Sequence, residues 1–91
     1  MNQKRVSRSE THIHSYKASH QMPLVEICAR KRILLENHHG ILSYDVDRIV
    51  VKVCFGSVVI QGSKLKIAMI SREKLVIAGV IDSVCFVGEN G

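Results

Sequence analysis

From Leu24 onward the apolar positions alternate in twos. In the stretch RIVVKVCF, Ile49, Val51, Val53 and Phe55 fall on one side, and Arg48, Val50, Lys52 and Cys54 on the other. In SKLKIAMI, Leu65, Ile67 and Met69 oppose Lys64, Lys66, Ala68 and Ile70; in EKLVIAGVI, Leu75, Ile77 and Ile81 share a side with Gly79. Successive side chains of an extended chain point to opposite faces, so a period of two in segments rich in Val and Ile predicts half-buried β-strands rather than an amphipathic helix.

Breakers separate these runs at short intervals: Asn37 to Gly40, Asp45 to Asp47, Gly56-Ser57, Gly62-Ser63, Ser71 to Glu73 and Asp82-Ser83. Short strands with regular turn signals predict an all-β fold, a single small domain of mostly antiparallel strands arranged as a meander, a sandwich or roll, or a short β-solenoid. Gly56, Gly62 and Gly79 are read as backbone devices, serving turns, bulges or close strand approach. VVIQGSKLKI and LVIAGVIDSVCF each place an aliphatic triplet before a glycine and a second strand, an internal echo with a shift of about 17 residues that hints at a meander or coil of strands.

The second faces of these strands are not wholly polar. Val50, Val59, Val76, Ala78 and Val80 lie opposite the main apolar sets. Either both faces are covered within one chain, as in a barrel or two packed sheets, or another chain covers the spare surface. The sequence therefore leaves room for a homo-oligomer.

Composition adds limits. At 91 residues the chain has room for one core, which excludes a two-domain enzyme, and 46% hydrophobic with 23% charged residues is ordinary for a folded soluble chain. The net charge of +5 is uneven, because Lys4, Arg5, Arg8 and Lys17 stand against Glu10 alone in the first 21 residues. We read residues 1–21 as a flexible basic tail and 22–91 as the all-β domain, with the boundary before Met22-Pro23. The tail's four cations can touch an anionic membrane surface by charge alone. His12, His14 and His20 lack a scaffold and are expected to be solvated rather than metal-binding. No apolar run reaches the ~20 residues a spanning helix needs, and the basic start has no apolar segment behind it, so a cytoplasmic protein is expected.

Catalysis needs converging groups, and few are offered. Cys28, Cys54 and Cys85 are widely spaced and form no Cys-x-x-Cys pair; they read as small buried apolar residues, with Cys28 or Cys85 a reactive thiol only if set on a sheet edge. Asp45 and Asp47 are most simply a turn. No Gly-x-Ser-x-Gly elbow and no phosphate loop is present. The expectation is a protein that is not an enzyme and uses no cofactor or metal. The alternative is a small β-barrel binding single-stranded nucleic acid, with Arg30, Lys31 and Arg32 clustered; it lacks a stacking platform, because Phe55 and Phe86 read as core, and nucleic acid is disfavoured as a partner.

The stretch ENHHGILSY remains. Asn and Gly tolerate positive φ, so RILLE, NHHG and ILSY in succession predict a hairpin. If the chain has a recognition surface, the candidates are Asn37, His38, His39 and Gly40 with Tyr44 beside them, His38 offering a hydrogen bond to a partner.

Met22-Pro23, ENHHGIL, FGSVVIQGSKLKI and LVIAGVIDSVCF follow one another in an order and spacing that resemble the YabP/YqfC family of endospore-formation proteins, in its YqfC-like branch, over about Met22 to Val87. His39 stands where that family usually has Arg or Lys, which argues against a histidine pair as the shared feature. The resemblance implies a sporulation role in the mother cell, without known enzymatic chemistry. It also implies a membrane-embedded sporulation protein as partner, and so a place peripheral to the membrane around the forespore.

Overall fold

The computed structural model describes residues 22–88. The basic tail, with its histidines and its four cations, lies outside the described residues. Six strands form: β1 (Leu24–Cys28), β2 (Arg32–Glu36), β3 (Ile41–Tyr44), β4 (Arg48–Val53), β5 (Gly56–Ile70) and β6 (Lys74–Gly88). All pairings are antiparallel within one sheet ordered β1-β2-β6-β5-β4-β3. The all-β expectation holds. Among the described residues β1 and β3 end the sheet, so it is neither a closed barrel nor a solenoid.

The central hairpin explains the shape. β5 and β6 are each 15 residues long and pair with one another from end to end. Halfway along, each changes its outer neighbour: the first half of β5 pairs with β4, and the first half of β6 pairs with β2. Between the halves the register shifts at Gln61/Gly62 and Ser63/Lys66, with a further shift at Ile67/Met69 inside the second half of β5, and Lys64 takes a φ of 55°. Extra residues on one strand bend it and increase its twist, so the hairpin folds back across this zone.

At the bend the backbones touch. A Cβ on Gly62 would lie 1.9 Å from the Val80 carbonyl oxygen, and one on Gly79, whose φ is +138°, would lie 2.5 Å from that of Lys64. Two turns dock there. Gly62 N–H and Leu65 N–H donate to Asp47 and Val46 in the turn after β3, at 3.1 and 2.7 Å; Gly79 N–H and Ile81 N–H donate to Lys31 and Arg30 in the turn after β1, at 3.1 and 2.8 Å. The 17-residue echo thus has a structural meaning, since Gly62 and Gly79 hold equivalent places in the two halves and Val58 and Ile60 correspond to Leu75 and Ile77.

Ile33 and Leu35 from β2, Ile49, Val51 and Val53 from β4, Val58, Ile60 and Leu65 from β5, and Leu75, Ile77 and Ile81 from β6 form one cluster, each at most 4% exposed. A flat single layer would leave that face in water. The halves therefore close face to face, each buried aliphatic side chain contributing roughly 1.5–3 kcal/mol of transfer free energy.

Several expectations need correction. Gly62-Ser63 and Asp82-Ser83 do not end strands but sit in the bulged middle of β5 and β6. Met69 is exposed because the register shift next to it breaks the alternation. Phe55 belongs to the two-residue turn between Val53 and Gly56, and Phe86 faces inward on a strand end that has β5 on one side and no strand among the described residues on the other, so both rings are exposed rather than core. All three cysteines are exposed as well, Cys54 in that turn, Cys28 at the end of β1, and Cys85 opposite Val59 on the outer face. The spare residues Val50, Val59, Val76 and Ala78 are half-buried, and Val80 is exposed.

Candidate functional site

The segment Asn37 to Gly40 is not a hairpin. β2 lies between β1 and β6 while β3 pairs only with β4, so Asn-His-His-Gly carries the chain across from one half of the folded sheet to the other. Local sequence could not separate these readings, because a crossing and a turn both need residues that accept positive φ. Asn37 has a φ of 65° and Gly40 of 112°.

Backbone and side chains tie this crossing to three parts of the molecule. Asn37 N–H donates to the Glu73 carbonyl in the β5–β6 turn at 2.7 Å, and its side-chain Nδ2 donates to the Met22 carbonyl at 2.9 Å. His39 N–H donates to Lys52 at 2.7 Å, and Lys52 N–H donates to Gly40 at 2.8 Å, which continues the β3–β4 ladder into the loop. His38 is the buried centre, at 9% exposure. Gly40 N–H donates to its Nδ1 at 3.0 Å, and its Nε2 lies 3.0 Å from the Ser71 carbonyl. An amide N–H only donates, so Nδ1 accepts and Nε2 carries the proton given to Ser71. Both ring nitrogens are engaged within the chain, and His38 has none to offer a partner.

The predicted cluster therefore divides. Asn37, His38 and Gly40 are a structural crossing, and His39 is exposed. Tyr44 is 52% exposed but stands at the far end of β3, roughly 13 Å from Gly40 at the rise of an extended chain, not beside the loop. Replacing His38 with alanine should cost about 2 kcal/mol by leaving the Ser71 carbonyl and the Gly40 N–H without a partner. His39→Ala should stay within about 0.5 kcal/mol. Urea unfolding of the two variants checks this, and equal midpoints would refute the structural role of His38.

What the described surface does offer is apolar. A shallow groove of about 640 Å³ across β1, β2 and β6 is lined by Cys28, Leu34 and Val76, which share the outer face with Glu26 and Arg32, and by Ile27 of the edge strand, whose pairing with Ile33 turns it to the other face. Ile27 is 53% exposed. Phe55 and Phe86 sit with ring centroids 6.1 Å apart and planes tilted by 58°, an edge-on pair open to solvent. Of the basic cluster, Arg30 is committed to Asp82 at 2.7 Å and to the Ile81 carbonyl at 3.1 Å. Neither signal was readable locally, since the groove joins strands brought together only by the fold. Among the described residues no helix is long and apolar enough to cross a membrane.

No curated protein and no solved structure matches the chain. The family model that matches is that of the YabP family, over residues 19–91, which takes in the crossing, the bent hairpin and both glycines at the bend. With most of its length matched, the chain belongs to the YabP family, a membership consistent with a sporulation-associated protein.

Proposed function

We propose that this protein is a non-enzymatic sporulation factor that acts in the mother cell by assembling with or docking on a membrane-associated partner. The observation that carries the reading is the contrast between a core already closed within one chain and large apolar side chains left outside it, among them Leu24, Ile27, Leu42, Tyr44 and Phe86. Leu24 and Ile27 lie on the edge strand that borders the apolar groove, and contiguous exposed apolar surface favours protein contact. The family membership supports the sporulation setting. The basic tail supports approach to anionic lipid, since charge attraction to a membrane surface needs no folded scaffold.

The test is made in sporulating cells. Ile27→Asp places a charge on the exposed edge strand beside the groove, and a second variant reverses Lys4, Arg5, Arg8 and Lys17 to Glu. Each should leave the thermal unfolding of the purified protein nearly unchanged while lowering the membrane-bound fraction and the yield of heat-resistant spores. A wild-type protein found only in the soluble fraction, or a deletion strain with full spore yield, would overturn the reading.

A further inference from the structure

The sheet has four free edges among the described residues, and they are not equally protected. β1 carries Glu26 at its centre, so pairing two copies there in their symmetric register would set carboxylate against carboxylate. β3 is four residues long and its register is broken between Ile41 and Ser43. The outer half of β5 carries Lys66 and a register shift between Ile67 and Met69. Short length, charge and bulges are the ordinary means by which an edge avoids pairing with another chain.

The outer half of β6 has none of them. β2 covers β6 only as far as Ala78, and the turn after β1 covers it to Ile81, where the Arg30 side chain bonds the Ile81 carbonyl and Asp82. Beyond that point Ser83 to Gly88 pair with β5 in unbroken register on one side and, among the described residues, have no strand on the other. The stretch SVCFVG has no charge. Phe86 is 56% and Val87 45% exposed, and Cys85 is a free exposed thiol.

We infer that this edge pairs antiparallel with the same edge of a second copy of the chain, centred on Cys85. A two-fold axis normal to the sheet keeps each face continuous, which requires facing residues of equal parity. The register centred on Cys85 meets this condition: Cys85 faces Cys85 of the second copy, Val84 faces Phe86, and Ser83 faces Val87. No like charges meet, and an aromatic side chain gains a β-branched partner on each side of the axis. A C2 interface of this kind is self-complementary by construction. It joins the two outer halves into one continuous sheet and covers the exposed Phe86.

The inference goes beyond the docking role and is read on the purified full-length chain, so either can fail alone. The mass is measured by sedimentation over a range of concentrations. The wild type should pass from monomer to dimer, and Cys85→Lys, which sets two ammonium groups opposite each other at an already exposed position, should weaken dimerisation by at least about fivefold. Two further variants keep one thiol each: Cys28→Ser with Cys54→Ser retains Cys85, and Cys54→Ser with Cys85→Ser retains Cys28. Under diamide, which takes two electrons and two protons from a pair of thiols to form one disulfide, the chain retaining Cys85 should give covalent dimers and the chain retaining Cys28 few. A monomer at every concentration, an unchanged dimer in Cys85→Lys, or equal crosslinking through Cys28 would each overturn the inference. Slow alkylation of Cys85 in a monomer would assign the edge to the chain's own terminal residues, and would overturn it too.

Discussion

Gly62→Ala is expected to abolish the stable fold. The new methyl group would meet the Val80 carbonyl oxygen at 1.9 Å, the Val80 carbonyl carbon at 3.0 Å and the Ile81 Cα at 3.1 Å, all of them backbone atoms that no rotamer change can move away. Relief requires β5 and β6 to part at the bend, where the hydrogen bonds from Gly62 to Asp47 and from Leu65 to Val46 anchor the turn after β3. Overpacking a core side chain costs about 1–3 kcal/mol, and a rigid backbone clash exceeds that. A domain of this size has roughly 4–10 kcal/mol in total, so the loss takes most of it. Gly79→Ala should behave alike, because the Lys64 carbonyl lies 2.5 Å from the added atom and the positive φ disfavours any side chain. Gly88→Ala, with nothing within 4 Å, is the control. Urea midpoints for Gly62→Ala and Gly88→Ala that coincide would mean the bend is looser than described.

Ile77→Ala should cost about 3–4 kcal/mol. Ile77 is fully buried, paired with Ile33 of β2 on one side and with Ile67 of β5 on the other, so its removal opens a cavity between strands that cannot close without breaking ladders. Ile70→Ala, at a position 53% exposed, should change stability by no more than about 0.5 kcal/mol. Chemical denaturation followed by circular dichroism reads both. A small effect at Ile77 would show that the two halves are not closed on a common core.

The interior was legible wherever alternation ran unbroken: Ile49, Val51, Val53, Leu75, Ile77 and Ile81 face inward as their phase predicts. It failed where an extra residue changes the phase, as at Met69, because a bulge and a turn are written with the same small and polar residues. It failed again at Phe86, whose phase is correct but whose strand end has a neighbour on one side only among the described residues, a property of topology rather than of local sequence. The loop of the candidate site shows the same limit. Asn37 and Gly40 signal positive φ, yet whether the next strand pairs with the last or crosses to the other half depends on contacts far along the chain. His38 carries the hydrogen-bonding groups a recognition site needs, but both of its hydrogen bonds turn inward.

The long hairpin has a consequence for how the chain reaches this state. Each half of the sheet is built on one end of β5 and β6, so these two strands link the halves covalently and through one continuous ladder. The turn after β1 meets β6 through residues 52 apart in sequence, a closure that must precede most of its reward. The β2–β6 pairing is the distant one, since the other four pairings join strands consecutive in sequence, so it carries the largest loop-closure entropy of the sheet. Until that pairing forms β6 lacks β2, and it is before the sheet has closed that an uncharged strand end would most readily find the same strand of another molecule.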